Sequence, residues 1–455
     1  MPAASGDVFE LQRAVRFAEL ETDPAAEDAT RKHCNWPDEV TALGCILKRT
    51  RKSKMEIPGN IFTALLRGGP MSSRRDFLAS GLGLPVIASA SRSASPEPQT
   101  AGTPSSGPVF RYRTLGRTGL KVTEVGFGCM ITSDGSVVER AADLGITYFD
   151  TARGYQGGNN ERMVGAALKK KRSGITLSSK SHSKTKQEAL QDLDTSLREL
   201  GTDHLDIWYL HNKTSPSEVT DDLIEAQQIA KKAGKIRFAG VSTHKGQAEL
   251  IPFLAKHPQV DVILSAYNFT LEPPVSAAIA QAAAAGKGVV GMKVMAGGFR
   301  TVKPADPAYA KLHRDGGLLA ALKWVLHDPN IGTTVPSMTD NEQLDENLKA
   351  MAQPFGPAEE KILTARLEHI APLYCRTCGR CDGMCRQGLP VSDVLRILTY
   401  ADGYGQFALG RERFRELAPE HAGARCAACP ECTVECPYGV RVAQRVARAQ
   451  ELFAC

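Results

Sequence analysis

Four polar side chains end or follow short apolar segments, and their types can do acid–base chemistry together. They are Asp150 at the end of 147–150, Tyr155 in the loop after it, Lys180 at the end of 175–180 and His211 at the end of 205–211. A nearby cation lowers the pKa of a tyrosine, an aspartate can hold a lysine in place, and a histidine can hydrogen-bond a carbonyl oxygen. Such a set can protonate an oxygen as hydride arrives at its carbon, so it predicts general acid catalysis of carbonyl reduction.

Each of these residues, taken alone, also has an ordinary structural explanation. Asp150 could cap a helix, Lys180 could be a charge at a strand end, and His211 could be a buried histidine with satisfied hydrogen bonds. Their occurrence at successive strand ends favours a site, because perturbed titratable groups collect where chemistry is done.

A second group of reactive side chains is a local cluster of cysteines. Eight of the twelve cysteines lie in two runs, Cys375-x-x-Cys378-x-x-Cys381-x-x-x-Cys385 and Cys426-x-x-Cys429-x-x-Cys432-x-x-x-Cys436-Pro437. Each run has the bacterial [4Fe–4S] spacing, in which the fourth cysteine ligates the other cluster. Zinc is the alternative, but structural zinc sites usually take two separated pairs of ligands. The spacing therefore predicts two [4Fe–4S] clusters, although Arg386 stands where a proline usually follows the first run.

The elements that position the first group alternate regularly from Val122 onward. Strands are predicted at 122–130, 146–150, 175–180, 204–211, 236–243, 261–267, 288–295 and 331–336. Helices are predicted between and after them at 136–144, 160–170, 186–200, 219–233, 245–256, 275–285, 316–328 and 340–351. Eight such units predict an α/β fold, a (β/α)8 TIM barrel, with a hairpin at 112–122 against its base. An open doubly wound sheet is the alternative, but Gly126-Phe-Gly128-Cys-Met lacks the third glycine of its usual phosphate-binding turn.

The region around the cysteines also has helical patterns. A connecting helix is predicted at 358–370, and two more helices lie between the cysteine runs, at 391–398 and 407–414. A cysteine region with helices between its two runs resembles the α-helical ferredoxin type. The fold class is thus a TIM barrel followed by a small α-helical ferredoxin-like domain.

Residues 71–90 resemble a twin-arginine export signal. Arg74 and Arg75 precede the apolar core 77–87, and Ala88-Ser-Ala90 has the small residues of a cleavage site. A short buried or interfacial helix is the alternative. The signal predicts translation from Met71 and an extracytoplasmic protein; without it, a cytoplasmic location is expected.

The predicted domain organisation follows from these patterns. It comprises a disordered or mis-annotated upstream extension at 1–70, the export signal at 71–90, a linker at 91–110, the barrel at 111–352, a connecting helix at 353–370 and the [4Fe–4S] domain at 371–455. Composition adds two exclusions. A net charge of +6 from scattered basic residues over 455 residues does not indicate nucleic-acid binding, and no apolar run reaches the roughly 18 residues of a membrane span.

Several motifs, in order along residues 111–352, resemble the aldo/keto reductase family. They are Leu115-Gly-Arg-Thr-Gly-Leu-Lys-Val122, Phe149-Asp-Thr-Ala-Arg-Gly-Tyr155 with Glu161, Asp206-Ile-Trp-Tyr-Leu-His211, Gly234-Lys-Ile-Arg-Phe-Ala-Gly-Val-Ser242 and Gln343-Leu-Asp-Glu-Asn347. The resemblance implies a TIM barrel that uses NADP(H) or NAD(H). It also implies a tetrad of Asp150, Tyr155 as the acid, Lys180 and His211.

The cofactor positions that the resemblance implies are less faithful to that family. Ser242-Thr243 stands where a Ser-Asn pair usually holds the nicotinamide amide, and Leu264 stands where a glutamine usually helps. The other expected cofactor-binding residues are Lys293, Ser337, Gln343, Glu346 and Asn347. Ser337 and Gln343 are neutral where NADP-preferring members often carry basic residues, so the choice between NADH and NADPH stays open.

The sequence predicts an oxidoreductase acting on a small carbonyl or alcohol, with electrons exchanged through the two clusters and a redox partner protein. Substrate choice is expected in the loop 297–315. The alternative is an electron-transfer protein whose barrel no longer transfers hydride, and Thr243 and Leu264 motivate it. The oligomeric state stays open.

Overall fold

The computed structural model describes residues 107–299, 316–417, 421 and 425–453. The predictions for the upstream extension, the export signal and most of the linker lie outside these residues. So do residues 300–315 of the loop 297–315, which was expected to select the substrate.

A short antiparallel hairpin precedes the barrel. Its strands β1 (Tyr112–Thr114) and β2 (Lys121–Thr123) pair Arg113 with Val122. Gly116, with φ +53°, approaches the Gly288 backbone so closely that a Cβ would collide there, which presses the hairpin against the barrel. The buried side chains of Leu115 and Val122 join the cluster inside the barrel. The predicted hairpin is therefore present, but the single strand predicted at 122–130 is wrong, because its first residues pair within the hairpin.

Eight parallel strands form the barrel, each beside its neighbour in the chain. They are β3 (Phe127–Gly128), β4 (Tyr148–Asp150), β5 (Thr176–Ser181), β6 (Leu205–Leu210), β7 (Ile236–Thr243), β8 (Val262–Ala266), β9 (Gly288–Met292) and β10 (Thr333–Thr334). Parallel bridges from Val125 to Thr334 and from Gly128 to Ser337 join the first strand to the last. This nearly closed ring confirms the TIM barrel and excludes the open doubly wound sheet.

Helices surround the sheet, and their ends lie within two residues of the predicted ones. They are α1 (Gly135–Leu144), α2 (Asn159–Leu168), α3 (Lys186–Leu200), α4 (Asp221–Lys232), α5 (Gln247–Lys256), α6 (Pro273–Ala284), α7 (Gly317–His327), α8 (Asn341–Ala352) and α9 (Pro357–Ile370). Side chains cap several of them: Thr185 accepts from the Glu188 amide at 3.3 Å, and Asp340 accepts from the Gln343 amide at 2.8 Å. Such caps satisfy amides that would otherwise lack a partner in the first turn.

The described residues after α9 include three further helices, which pack around a small core of their own. These are α10 (Val391–Asp402), α11 (Phe407–Arg415) and α12 (Val442–Phe453). Val394, Leu398 and Val446 are buried in this core. The first two helices confirm the predicted pair, and α12 was not predicted. We call residues 371–453 the tail domain.

The tail domain lies on the end of the barrel where the strands finish. The Phe299 amide, after β9, donates to the carbonyl of Gly403 at 2.8 Å. Arg413 of α11 donates to the carbonyl of Gly154 at 3.3 Å. Because active sites in TIM barrels lie at the carboxyl ends of the strands, these contacts bring the tail domain to the place where a site is expected.

Candidate active site

The four residues predicted for acid–base chemistry lie together at the carboxyl end of the barrel. Asp150 ends β4, Lys180 lies near the end of β5 and His211 follows β6. Tyr155 stands in the loop after β4, where a 3-10 turn that contains Gln156 and Gly157 at positive φ reverses the chain. Parallel strands in adjacent register bring the first three to one edge of the sheet, and this loop turns the tyrosine back over them.

The buried ammonium of Lys180 organises the group. Its Nζ donates to Asp150 Oδ2 at 2.5 Å, to the carbonyl of Thr151 at 2.7 Å and to the phenol oxygen of Tyr155 at 3.4 Å. Ser178 Oγ donates to the second oxygen of Asp150 at 2.7 Å. Both carboxylate oxygens and the ammonium thus have hydrogen-bond partners within the group. Of Asp150, Lys180 and Tyr155, the phenol is the one that both lines the cavity and can donate a proton.

Tyr155 keeps its proton more tightly than the sequence suggested. Burial of the ring and the negative charge of Asp150 raise its pKa well above the ordinary value. The expectation of a lowered pKa is therefore wrong, because burial of the phenol, together with the carboxylate of Asp150, favours the protonated form. A phenol with a raised pKa is neutral at physiological pH, so Tyr155 can donate a proton there.

His211 lies beside the phenol as a neutral ring. Its side chain is 7% exposed, its ring centroid is 5.9 Å from that of Tyr155, and its Nδ1 has no partner among the described residues. Burial and the nearby His182 and Lys180 lower its pKa well below the ordinary value. A neutral imidazole can donate one hydrogen bond and accept another, which suits a group that orients a carbonyl oxygen.

Two further histidines at this end of the barrel were not predicted. His182 follows β5 and stacks on His211 with ring centroids 3.8 Å apart. His244 follows β7 and lines the cavity beside Tyr155. Both stand just after a strand, so the rule that found Lys180 and His211 would have found them had it been extended past the strand ends.

A cavity of about 230 Å³ opens beside Tyr155 and runs between the ends of β9 and β10. Among the residues expected to bind a cofactor, Lys293, Ser337 and Gln343 line it. Glycines at 297 and 298, both at positive φ, also line it and leave room for a ligand close to the backbone. A cavity of this volume next to the phenol can hold part of a bound ligand.

Asn347 and Glu346 lie on α8, near the Gln343 end of this cavity. The side chain of Asn347 is fully buried, and neither its nitrogen nor its oxygen has a hydrogen-bond partner among the described residues. A buried amide without partners is costly in a folded protein unless a ligand or water satisfies it. Asn347 therefore fits the role of a residue that completes its hydrogen bonds with a bound molecule.

Ser242 and Thr243 are placed differently from the other expected cofactor residues. The Ser242 hydroxyl accepts from the Asn212 amide at 2.9 Å, and the Thr243 hydroxyl donates to the carbonyl of Lys245 at 2.7 Å. Neither side chain lines the cavity, and Leu264 is buried in the cluster inside the barrel. The two hydroxyl groups thus stabilise the neighbouring loops. They leave fewer free hydrogen-bonding groups for a cofactor amide than a Ser-Asn pair would offer.

The tail domain supplies one wall of the same cavity. Gly403, Tyr404 and Gln406, between α10 and α11, line it opposite the strand ends. Gly403 lies so close to the carbonyl of Gly297 that a Cβ would collide with it. Sequence reasoning missed this wall, because no local pattern tells which surface of a second domain a barrel will meet.

The eight cysteines form two neighbourhoods in the tail domain, and each takes members from both runs. Burial, with smaller contributions from the nearby thiols of Cys381, Cys378 and Cys436, raises the pKa of the Cys375 thiol to about 12. Burial likewise raises the pKa of the Cys426 thiol to about 11, with added contributions from Cys432, Cys385 and Cys429. The fourth cysteine of each run thus lies near the first three of the other run.

Two kinds of feature are absent from the described part of the chain: a ready metal site and a membrane-spanning helix. No group of three or more His, Cys, Asp or Glu side chains there could hold a metal ion as it stands. No described helix combines the length and the apolar character that crossing a bilayer requires.

Comparisons with known proteins agree with this architecture. The model of the aldo/keto reductase family matches residues 133–367, so the match ends before the first cysteine run. The uncharacterized oxidoreductase YqkF of Bacillus subtilis (strain 168) is 27% identical over 282 residues, which cover 53% of this chain and 91% of that protein. L-galactose dehydrogenase of Arabidopsis thaliana is 28% identical over 285 residues, covering 54% and 89%. Among solved structures, the holo form of the aldo-keto reductase AKR11C1 from Bacillus halodurans is 26% identical, covers 56% of this chain and 96% of its own, and has a TM-score of 0.49.

Proposed function

The chain belongs to the aldo/keto reductase family and is an oxidoreductase, and from this premise we propose that it interconverts a small carbonyl compound and its alcohol with a nicotinamide nucleotide. The observation that carries the proposal is the hydrogen-bonded group of Asp150, Lys180 and Tyr155 beside the cavity. Aspartate and ammonium hold each other, so the phenol is left as the proton donor.

Each residue of the group then has one task. Tyr155 donates its proton to the carbonyl oxygen, and its raised pKa keeps that proton available at neutral pH. Lys180 fixes the phenol oxygen and Asp150 fixes Lys180. His211, as a neutral ring, hydrogen-bonds the same carbonyl oxygen and orients it. Protonation by a positioned side chain typically contributes about 10²- to 10⁴-fold to the rate.

A nicotinamide nucleotide would supply the hydride when bound. Ser337 and Gln343 on the cavity wall, with Glu346 and the unpartnered amide of Asn347 on α8, are the residues proposed to hold it. Ser242 and Thr243 remain candidates, although their hydroxyl groups already bond to nearby backbone atoms. The proposed cofactor is NADP(H) or NAD(H).

We further propose that the eight cysteines hold two [4Fe–4S] clusters. The spacing of the two runs supports this, and so does the exchange of their fourth cysteines between the two neighbourhoods. Each thiolate of such a cluster binds a different corner of a cube, so its ligands lie further apart than those of a single ion. The clusters would supply one-electron transfer, and a redox partner protein would exchange electrons with them.

The second candidate function is electron transfer by an iron–sulfur protein whose barrel no longer transfers hydride. The bonds of Ser242 and Thr243 to their own loops favour it, as does the burial of Leu264. Under this alternative the tetrad geometry is retained for the fold and the nicotinamide nucleotide does not bind.

Export by the twin-arginine route is proposed as well, on the pattern Arg74-Arg75 followed by the apolar core 77–87. Changing both arginines to lysine in the protein translated from Met71 should stop export. Export at the parent level would remove this part of the proposal.

The test of the main proposal is a titration of protein purified without air from Ser91 onward. NADPH and NADH are added separately, and nicotinamide fluorescence and cluster absorbance are followed together. Binding with oxidation of the nucleotide by a panel of small aldehydes and ketones supports the enzyme. Eight irons per chain with no nucleotide binding at millimolar concentration supports the electron carrier instead.

A further inference from the structure

Lys293 is a cation on the cavity wall without a carboxylate partner in the described part of the chain. It follows β9 with φ +57°, a conformation that non-glycine residues adopt infrequently. Its Nζ lies 3.9 Å from Met130 Sδ, 5.5 Å from the ring centroid of Tyr400 and 5.2 Å from that of Tyr404. Cation–π contacts stabilise the ammonium in place but leave its charge unneutralised.

The neighbourhood of this lysine is positive. Arg396 of α10 donates to the phenol oxygen of Tyr400 at 2.8 Å, and Arg413 of α11 approaches from the side of Gly154. Burial raises the pKa of Tyr400, but the charges of Arg396, Lys293 and Arg413 lower it more, and the net shift is downward. Three cations from two domains therefore surround one phenol.

The negative charge on the cavity wall is small by comparison. Asp150 is the one acidic residue among the described residues that line the cavity, and Lys180 already pairs with it at 2.5 Å. Arg396 and Arg413 have acidic neighbours on their own helices, at 3.3 Å and 2.8 Å, and both carboxylates are about half exposed. Lys293 forms no salt bridge with the described residues, so its ammonium lies on the cavity wall without an ion pair of its own. Burial lowers its pKa, and the nearby Tyr400 and Asp150 counteract this in part.

We propose that Lys293, with Arg396 and Arg413 of the tail domain supporting its positive field, binds an oxyanion of the substrate. The substrate class is a small carbonyl compound that carries a carboxylate or a phosphate. This inference rests on the proposed reductase function and narrows it, because it assigns to the tail domain a share in substrate choice. It also changes the role of Lys293, which the sequence placed among the cofactor contacts.

The test compares substrates that differ in charge at similar size. Succinic semialdehyde is paired with butanal, and glyceraldehyde 3-phosphate with glyceraldehyde, in the parent protein and in Lys293→Met. Methionine keeps most of the length of the side chain and removes the charge. Lys232→Met, at an exposed position on α4, is the matched control.

In the parent and the control we expect kcat/KM to favour at least one anionic substrate over its neutral partner by tenfold or more. Lys293→Met should lose that preference, through a fall of kcat/KM for the anionic substrate. The pair that responds tells carboxylate from phosphate. An equal fall of kcat/KM for neutral and anionic substrates, together with weaker nucleotide binding, would show that Lys293 binds the cofactor and would overturn the proposal.

A second measurement keeps the inference testable where no hydride transfer occurs. Succinate and inorganic phosphate are titrated calorimetrically into the anaerobic parent, Lys293→Met and Lys232→Met proteins. Binding that weakens at least tenfold in Lys293→Met alone, and that weakens with added salt, supports the oxyanion subsite even if the reductase proposal fails. Equal binding by all three proteins, or no binding at millimolar concentration, rejects the subsite while leaving the reductase proposal standing on its own test.

Discussion

Tyr155 is held in the state that a proton donor needs. Its oxygen accepts from Lys180 at 3.4 Å, yet burial and Asp150 raise its pKa. The ammonium therefore serves to place the phenol more than to ionise it. In the direction of alcohol oxidation the same high pKa is a disadvantage, because a phenol that holds its proton is a poor base. We expect reduction to be the faster direction at neutral pH.

Replacing the phenol tests this assignment. Tyr155→Phe should lower kcat/KM for carbonyl reduction by about 10²- to 10⁴-fold, the usual contribution of general acid catalysis, while nucleotide affinity stays within threefold. Steady-state kinetics and fluorescence titration measure the two. Tyr112→Phe, in the exposed hairpin, is the control. Activity within tenfold of the parent would show that another group protonates the oxygen.

A second prediction concerns His211 and the pH dependence of stability. Its pKa in the folded protein lies well below the value of about 6.5 expected when unfolded. Above that pH neither state binds the proton, and the shift has no effect on stability. As the pH falls below about 6.5, the unfolded chain takes up a proton that the folded protein refuses, so unfolding becomes easier.

We therefore expect the urea midpoint to fall between pH 6.5 and pH 5, and to fall less steeply in His211→Asn. If the urea midpoint of His211→Asn falls with pH as steeply as that of the parent, other groups cause the loss of stability.

The residues that sequence found and those it missed differ in how they reach the site. Asp150, Lys180 and His211 are at strand ends, and parallel pairing of neighbouring strands brings such positions together whatever the details of packing. Tyr404 and Gln406 reach the same cavity because two domains dock, which depends on the shapes of both surfaces. No spacing along the chain encodes that meeting.

At the scale of elements, β3 shows where alternation is ambiguous. The predicted strand 122–130 contains two short strands, because the chain pairs with β1 before it enters the barrel. Glu124 marks the change: its carboxylate accepts from Arg111 and Arg113, each at 2.8 Å. A period of two is the same in a hairpin and in a barrel, so the pattern alone could not separate them.

Helix α12 was missed for the opposite reason. The helix buries apolar residues at helical spacing, namely Val442, Val446, Ala449 and Phe453. The pattern could therefore have been predicted, but it follows the second cysteine run and was not considered apart from it. The helix also positions that motif, since Gln450 accepts from the Cys426 amide at 2.9 Å. An amphipathic segment next to a ligand motif is therefore worth predicting as a helix that positions the motif.

The contact between Gly403 and Gly297 predicts a specific weakness. A Cβ at position 403 would collide with the Gly297 carbonyl and approach that of Thr399. Gly403→Ala should therefore destabilise the protein by about 1–3 kcal/mol, the usual cost of overpacking. Hydrogen exchange should become faster at the Phe299 amide, which bonds to Gly403.

Thermal unfolding and hydrogen exchange measure these two effects. Gly174→Ala is the control, since nothing lies within 4 Å of a Cβ there. Parent-like exchange at Phe299 in Gly403→Ala would show that the two domains are held together mainly by other contacts.

At the scale of the whole molecule, the two cysteine runs are linked by exchange of their fourth members. Cys436 lies near the first three cysteines of the first run, and Cys385 near the first three of the second. Residues up to 61 positions apart in the chain would then hold one cluster. The sequence predicted this exchange from the spacing alone, and the two clusters that it would serve are a proposal.

The exchange of the fourth cysteines predicts which cysteine substitutions affect the same cluster. Cys436→Ser should change the same electron paramagnetic resonance signal as Cys378→Ser, and Cys385→Ser the same signal as Cys432→Ser. Iron analysis should show about half of the parent iron or more in each variant. Signals that pair Cys436 with Cys432 instead would mean that each run holds its own cluster.

The wall that the tail domain adds to the cavity has a consequence for biosynthesis. Gly154 and Arg413, which bond at 3.3 Å, are 259 positions apart. At a translation rate of about 5–20 residues per second, roughly 13 to 50 s separate their emergence from the ribosome. In the later part of that interval, once His211 has also emerged, the nascent barrel carries Asp150, Tyr155, Lys180 and His211 but lacks the wall that the tail domain adds to the cavity. The pocket of this protein is therefore finished after its catalytic group, and a chain released early would leave that group in contact with water.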